Sequence, residues 1–254
     1  MLSAKAALRQ NVWVALTEAR VSRFPGATGR IPNFVGAEAA ATRLAGTEAW
    51  RQARTVKANP DSPQWPVRQR ALEDGKTVYM AVPRLAEERP FFLLDPAHLA
   101  DPPRTASSIK GASKSARRAS IDDLDPVDLV VTGCVAVAED GARLGKGGGF
   151  SDLEFAVASA AGLIGPSTVV ATTVHERQVL PAGRIPTTGH DVWVDLIVTP
   201  NDVIATRRRR RARGGIRWEE LTEEKILAIP LLARLRAQLD AGQATSPGGE
   251  DRRP

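Results

Sequence analysis

Arg143-Leu-Gly-Lys-Gly-Gly-Gly-Phe-Ser-Asp-Leu-Glu154 is the stretch on which the reading of this chain turns. A near-continuous apolar run, Asp128 to Val137, comes before it, and an Ala-rich apolar segment, Phe155 to Gly162, comes after it. The order is therefore strand, glycine loop, helix. Without side chains, Gly147, Gly148 and Gly149 let the backbone approach a bulky anion, so that several N–H groups and a helix N-terminus point at one phosphate. Arg143 and Lys146 add full positive charge. Asp152 sits where a carboxylate can hold a divalent cation against that phosphate. The spacing matches neither G-x-x-x-x-G-K-[ST] nor G-x-G-x-x-G. On the residues alone, two readings stay open: a nucleotide phosphate cradle, and a surface loop.

Outward from the loop, the pattern is one of alternating strands and helices. Helices are expected over Lys5–Ala19, Gly36–Leu44 and Pro66–Glu73, and strands over Thr55–Lys57, Thr77–Val82 and Pro90–Leu94. Asp128–Val137, Thr168–Val174 and Val192–Thr199 read as strands buried on both faces, with a short one at Val203–Ala205. Ser107–Ser120, with its serines, lysines and arginines, reads as an exposed loop. Leu227, Leu231, Leu235 and Leu239 recur at helical spacing, and Pro230 must kink or split that helix. The fold class is α/β, with a mostly parallel sheet between helices. One domain over 1–240 is expected, with a disordered tail at 241–254. In such sheets ligands sit beyond the carboxyl ends of strands, which favours the phosphate reading of the loop.

Composition narrows the function classes. Hydrophobic residues make up 43% of 254, enough for a sizeable core. No apolar run approaches the roughly 18 residues of a membrane span. The single cysteine, Cys134, excludes an internal disulfide, argues against a cysteine-based zinc site, and reads as a buried thiol in an apolar strand. No leader-like segment is read near Met1, and a cytoplasmic protein is expected. Of the net charge of +6, Arg207–Arg211 and Arg213 account for all six, so the remainder is near neutral. That run is the one feature that suggests nucleic acid, and no aromatic RNA-binding motif stands beside it. An RNA-binding module is the least favoured reading.

Arg143-Leu-Gly-Lys-Gly-Gly-Gly-Phe-Ser-Asp152 resembles the R-[LI]-G-[RK]-G-x-G-[YF]-x-D signature of the 5-formyltetrahydrofolate cyclo-ligases, also called methenyltetrahydrofolate synthetases. Lys5-Ala-Ala-Leu-Arg9 is similar to that family's early K-x-x-L-R. His190-Asp-Val-Trp-Val-Asp195 with Val198-Thr199 is similar to its late H-D-x-x-V-D-x-[IL]-[VL]-T. Arg30–Ala37, Gly149–Ala156, Thr173–His175 with Gln178-Val179, and Gly215–Trp218 resemble a divergent branch, the methenyltetrahydrofolate synthetase domain-containing proteins.

The resemblance implies an α/β/α sandwich of the type shared with sugar-phosphate isomerases and CoA transferases. It also implies an ATP- and magnesium-dependent ring closure of 5-formyltetrahydrofolate to 5,10-methenyltetrahydrofolate. Lys5 and Arg9 would then contact the ATP phosphates from one helix face. Arg143 and Lys146 would flank the triphosphate, and Gly145, Gly147, Gly148 and Gly149, with Phe150 following, would cradle it. Asp152 and Asp191 would hold Mg2+. The chain departs from the family pattern in two places. Ser151 stands where a second aromatic is usual. Asn59-Pro-Asp-Ser-Pro-Gln-Trp-Pro66 lacks the glutamate that holds the pterin, with Asp61 the nearest carboxylate. Trp65 is either a stacking face for a pterin or an anchor, and His175 either faces the cleft or does not. The expected partner is a small molecule, folate or another heterocycle. The alternative is an ATP-binding paralogue acting elsewhere, for instance in thiamine metabolism.

Overall fold

The computed structural model describes residues 2–82, 85–189, 191–206 and 215–244; His190, the Arg207–Arg213 run and 245–254 lie outside the described residues. From the amino end come α1 (Leu2–Glu18), α2 (Ala37–Ala45), α3 (Glu48–Gln52), β1 (Thr55–Ala58), α4 (Trp65–Glu73), β2 (Thr77–Ala81) and β3 (Phe91–Leu94). Next are α5 (Pro103–Ala106), α6 (Ile109–Ser115), β4 (Arg117–Ala119), β5 (Leu129–Val131), β6 (Ala136–Ala138), β7 (Arg143–Leu144) and α7 (Phe150–Ala160). The chain continues through β8 (Val169–Thr173), β9 (Val179–Leu180), β10 (Leu196–Val198), β11 (Val203–Ala205), α8 (Glu223–Leu227) and α9 (Pro230–Ala244). Pro230 splits the last helical segment as its missing N–H requires.

Eight strands form one sheet in the order β11-β10-β8-β5-β1-β2-β3-β4. The five from β10 to β2 run parallel, with antiparallel strands at both edges. Alternation along the strands fixes the layers. Leu129 and Val131 pack with Ala41, Leu44, Val67 and Leu72 of α2 and α4. Val130 packs with Leu153, Val157, Leu231 and Leu232 of α7 and α9. The sheet therefore buries both faces between helices, the expected α/β sandwich. From β1 the chain steps to β2 on one side, while β5, β8 and β10 build on the other. The strand order thus reverses between β1 and β5, where ligands of open parallel sheets bind.

Three expectations are corrected. Asp128–Val137 is not one strand. β5 belongs to the large sheet and β6 to a small one, β7-β6-β9, against which α1 packs Val12 and Leu16. The chain leaves the large sheet at Gly133, where a Cβ would sit 2.7 Å from Gln64 Oε1 and 2.9 Å from Ile31 Cγ2. Both halves are buried, so the apolar run carries no mark of the break. The glycine loop accordingly follows β7 of an antiparallel hairpin, not a strand of the parallel sheet. Finally, Ser107–Ser120 is not a loop. Ser108 Oγ caps α6 by accepting from Gly111 N at 2.9 Å, and β4 pairs with β3. The small residues Ser107, Gly111, Ala112 and Ala119 are buried.

Candidate active site

A cleft of about 520 Å³ opens at the β1–β5 reversal. Asn59, Pro60 and Asp61 reach it from the end of β1, and Gly133 from the end of β5. The opposite wall is the glycine loop with the first turns of α7, including Phe150, Ser151, Asp152 and Glu154. Pro25, Ile31 and Ile109 give it an apolar edge. The loop thus meets the parallel strand ends across space, although it does not follow them in sequence.

The loop is built as a helix entry. Gly149 caps α7 at φ 68°, in the left-handed region where a side chain is strained. α1 closes on the loop from behind. Arg9 Nε donates to Gly145 O at 2.7 Å, and its guanidinium lies 3.6–3.8 Å from where a Cβ on Gly147 would be. Lys5, one turn earlier, donates to Asp191 at 2.8 and 3.1 Å. Asp191 also accepts from Thr188 N at 2.6 Å. Burial alone would raise the Asp191 pKa; the bonds from Lys5 and Thr188 outweigh it and hold the carboxyl below the ordinary range.

Arg143 is buried and donates through Nη2 to Asp152 Oδ1, which also accepts from Val192 N at 3.1 Å. Arg143 Nε is buried with no hydrogen-bond partner among the described residues. Lys146, half exposed, lies 3.5 Å from Asp61 Oδ1. Lys5, Arg9, Arg143, Lys146, Gly145–Gly149, Phe150, Asp152 and Asp191 therefore gather in one region. Lys5, Arg9, Gly147 and Asp191 stand behind the wall of the cleft; the others line it.

A hard divalent cation needs only one or two carboxylates beside substrate phosphates. Asp152 suits it: both its donors go to Oδ1, and it lines the cleft. Asp191 is taken at both oxygens, so it reaches a cation only if Lys5 turns away. Among the described residues no group of three or more His, Cys, Asp or Glu is placed to hold a metal.

Two open readings resolve. Trp65 is an anchor: its Nε1 donates to Arg104 O at 3.0 Å and to Ser107 Oγ at 3.1 Å, outside the cleft wall. His175 is not among the residues lining the cleft; its Nδ1 accepts from Arg177 N at 3.2 Å. Burial pushes the Cys134 thiol up to about 11, which makes it inert.

Sequence reasoning missed the floor of the cleft. Lys57 Nζ donates to Glu154 Oε2 at 2.9 Å, and Asn59 Nδ2 to the same oxygen at 3.1 Å. Asn59 Oδ1 accepts from Gly133 N at 3.1 Å, tying the ends of β1 and β5 together. It also missed Arg68, which is fully buried. That guanidinium donates to Asn59 O at 2.5 Å and Asp61 O at 3.2 Å, fixing the β1 end. The available signal was a charge flanked by apolar residues, Lys57 between Val56 and Ala58 and Glu154 between Leu153 and Phe155.

The model of the 5-formyltetrahydrofolate cyclo-ligase family matches residues 2–200. The chain belongs to that family. The methenyltetrahydrofolate synthase domain-containing protein of Bos taurus is 37% identical over 234 residues, covering 91% of this chain and 61% of the relative. Its Homo sapiens counterpart is 34% identical over 247 residues, covering 96% and 64%. The chain thus spans about three-fifths of the length of these curated relatives. The NMR structure of Aquifex aeolicus 5,10-methenyltetrahydrofolate synthetase superposes with a TM-score of 0.52 at 20% identity, covering 83% of this chain and 95% of that one. That likeness supports the α/β fold. Among the described residues no helix is long and apolar enough to cross a membrane.

Proposed function

We propose that this protein is an ATP-dependent cyclo-ligase that closes 5-formyltetrahydrofolate to 5,10-methenyltetrahydrofolate. The observation that carries the reading is the closure of α1 on the glycine loop at the strand-order reversal, through Arg9 and Gly145. It surrounds one wall of the cleft with four cationic side chains, Lys5, Arg9, Arg143 and Lys146. In the reaction the formyl oxygen attacks the γ-phosphorus and ADP leaves. The N10 nitrogen then attacks the activated carbon and loses its proton, and phosphate departs. The chain's task is positioning and charge neutralisation. Lys146 and Arg143 flank the transferred phosphoryl from the cleft wall, and Lys5 and Arg9, from behind the glycine loop, bring their charge to the remaining phosphates. Gly145, Gly147, Gly148 and Gly149 supply backbone N–H groups, and Phe150 follows at the helix entry. Asp152, and Asp191 once Lys5 releases it, would hold Mg2+, which would supply neutralisation of the phosphate charge.

A second reading, an ATP-binding paralogue with another heterocyclic substrate, draws on the cleft itself. Ser151 bonds to Thr132 Oγ1 at 2.9 Å where the family usually has a ring, and Asp61 is drawn to Lys146. One experiment separates the two readings. The protein is incubated with ATP, Mg2+ and 5-formyltetrahydrofolate, and the absorbance of the methenyl product is followed alongside ADP release. Product formation is expected. Folded, ATP-binding protein that gives no product above background would leave only the paralogue reading.

A further inference from the structure

The floor of the cleft holds a charged pair that the phosphate chemistry does not use. Lys57 and Glu154 are 4% and 5% exposed, and meet at 2.9 Å. A buried ion pair is a poor source of stability, because desolvation of both charges offsets their attraction. Two features separate Glu154 from a merely structural partner. It lines the cleft. Its two donors, Lys57 and Asn59, both converge on Oε2, and Oε1 takes neither. The other carboxylates lining the cleft, Asp61 and Asp152, pair with Lys146 and Arg143, the cations that the phosphate reading already uses.

We propose that Glu154 selects the ring of the substrate by accepting N–H groups on Oε1, and that the ligand is an amino-substituted nitrogen heterocycle. A 2-aminopyrimidine edge fits, since its ring N–H and exocyclic amine lie side by side and a carboxylate oxygen has two lone pairs to offer. Lys57 offsets the charge of Glu154, so the site reads hydrogen-bond donors and not the net charge of the ligand. Lys57 and Asn59 are positioning residues. They fix Oε2, and Asn59 Oδ1 is itself held by Gly133 N at 3.1 Å and Ser151 Oγ at 3.3 Å. Ser151, smaller than the ring usual there, contributes to this support instead of covering it. The inference rests on the reading that the cleft takes a folate-like heterocycle beside a nucleotide.

The test compares 5-formyltetrahydrofolate with its 2-desamino analogue in calorimetric titrations of the protein loaded with ADP and Mg2+. A site built around a hydrogen bond to a buried acceptor penalises the ligand lacking the donor, so the desamino analogue should bind at least about 30-fold more weakly. In Glu154→Gln, where an amide N–H₂ replaces the free acceptor, the gap should fall below about 3-fold, with nucleotide affinity unchanged. Equal affinity of the unmodified protein for both pterins overturns the proposal and leaves the folate reading standing. So does a gap that survives intact in a folded Glu154→Gln. Nucleotide binding with no binding of either pterin removes the folate reading, and the role of Glu154 with it. If Glu154→Gln does not fold, the two ligands against the unmodified protein still decide.

Discussion

The β1–β5 strand pair is gripped by polar side chains at both ends, and the two grips are built differently. At the amino end Asp128 Oδ2 accepts from Arg54 N at 2.7 Å, Thr55 N at 3.0 Å and Thr55 Oγ1 at 3.1 Å. The single Thr55 hydroxyl proton is shared with Pro126 O, 2.7 Å away. The grip there is spent within the chain and faces solvent. At the carboxyl end Asn59 ties Gly133, Lys57 and Asn59 converge on one oxygen of Glu154, and Arg68 holds the carbonyls beyond β1. That end is buried, it carries charge, and it leaves acceptor capacity beside a cleft. Equal demand for strand registry explains the first grip. It does not explain why the second is made of an ion pair. Polar groups in excess of what the fold needs, at the end where the strand order reverses, mark the functional end of the sheet.

The largest effect should come from breaking the pair at the floor. Removing one partner of a buried ion pair strands the other charge and costs about 3–5 kcal/mol. Glu154→Ala should lower the melting temperature accordingly. The double variant Lys57→Met/Glu154→Leu should recover most of that loss, since apolar replacement of such pairs is near neutral, and yet should not regain substrate binding. A double variant as unstable as the single one would place the pair among the supports of the fold, like Asp128.

A smaller and opposite signature is expected at the rim. Lys146 is half exposed and contributes little to packing. Lys146→Ala should leave the melting temperature nearly unchanged, and should weaken ATP binding by about 10–100-fold if one charge-assisted phosphate contact is lost. Isothermal titration with a nonhydrolysable ATP analogue measures it. Unchanged affinity would detach the loop from the nucleotide and break the assignment of the cradle.

The rim was legible in the sequence because glycines and cations in series have few other uses. Arg143, Gly145–Gly149 and Asp152 needed no partner from elsewhere to be noticed. The sheet was legible for a similar reason: Thr77–Ala81 and Val169–Thr173 are short, apolar and β-branched. The break at Gly133 was not, because an apolar run looks the same whether it stays in one sheet or passes to another. The floor was hidden by distance. Lys57 and Glu154 are 97 residues apart, and nothing in the sequence pairs one charge with the other. Arg68 was hidden likewise, since its partners are backbone carbonyls that carry no sequence signal.

The mildest test concerns the amino-end grip. Burial alone would raise the Asp128 pKa; the three hydrogen bonds to its carboxylate outweigh that and hold it below the ordinary value. A folded pKa lying below the unfolded one, about 3.9, gives stability that is full above that pH and lost as pH falls through the folded value. Asp128→Asn should therefore cost a constant amount from pH 7 to pH 5, with the gap to the unmodified protein closing only below about pH 4. Asp128 is an exposed residue with its carboxylate partly covered, so solvent screening keeps the cost to about 1 kcal/mol. Because this end has no ligand to answer to, the cost should be the same with and without nucleotide. A gap that widens when ATP is bound would mean that the two ends of the strand pair are coupled, and that the amino-end grip is more than registry.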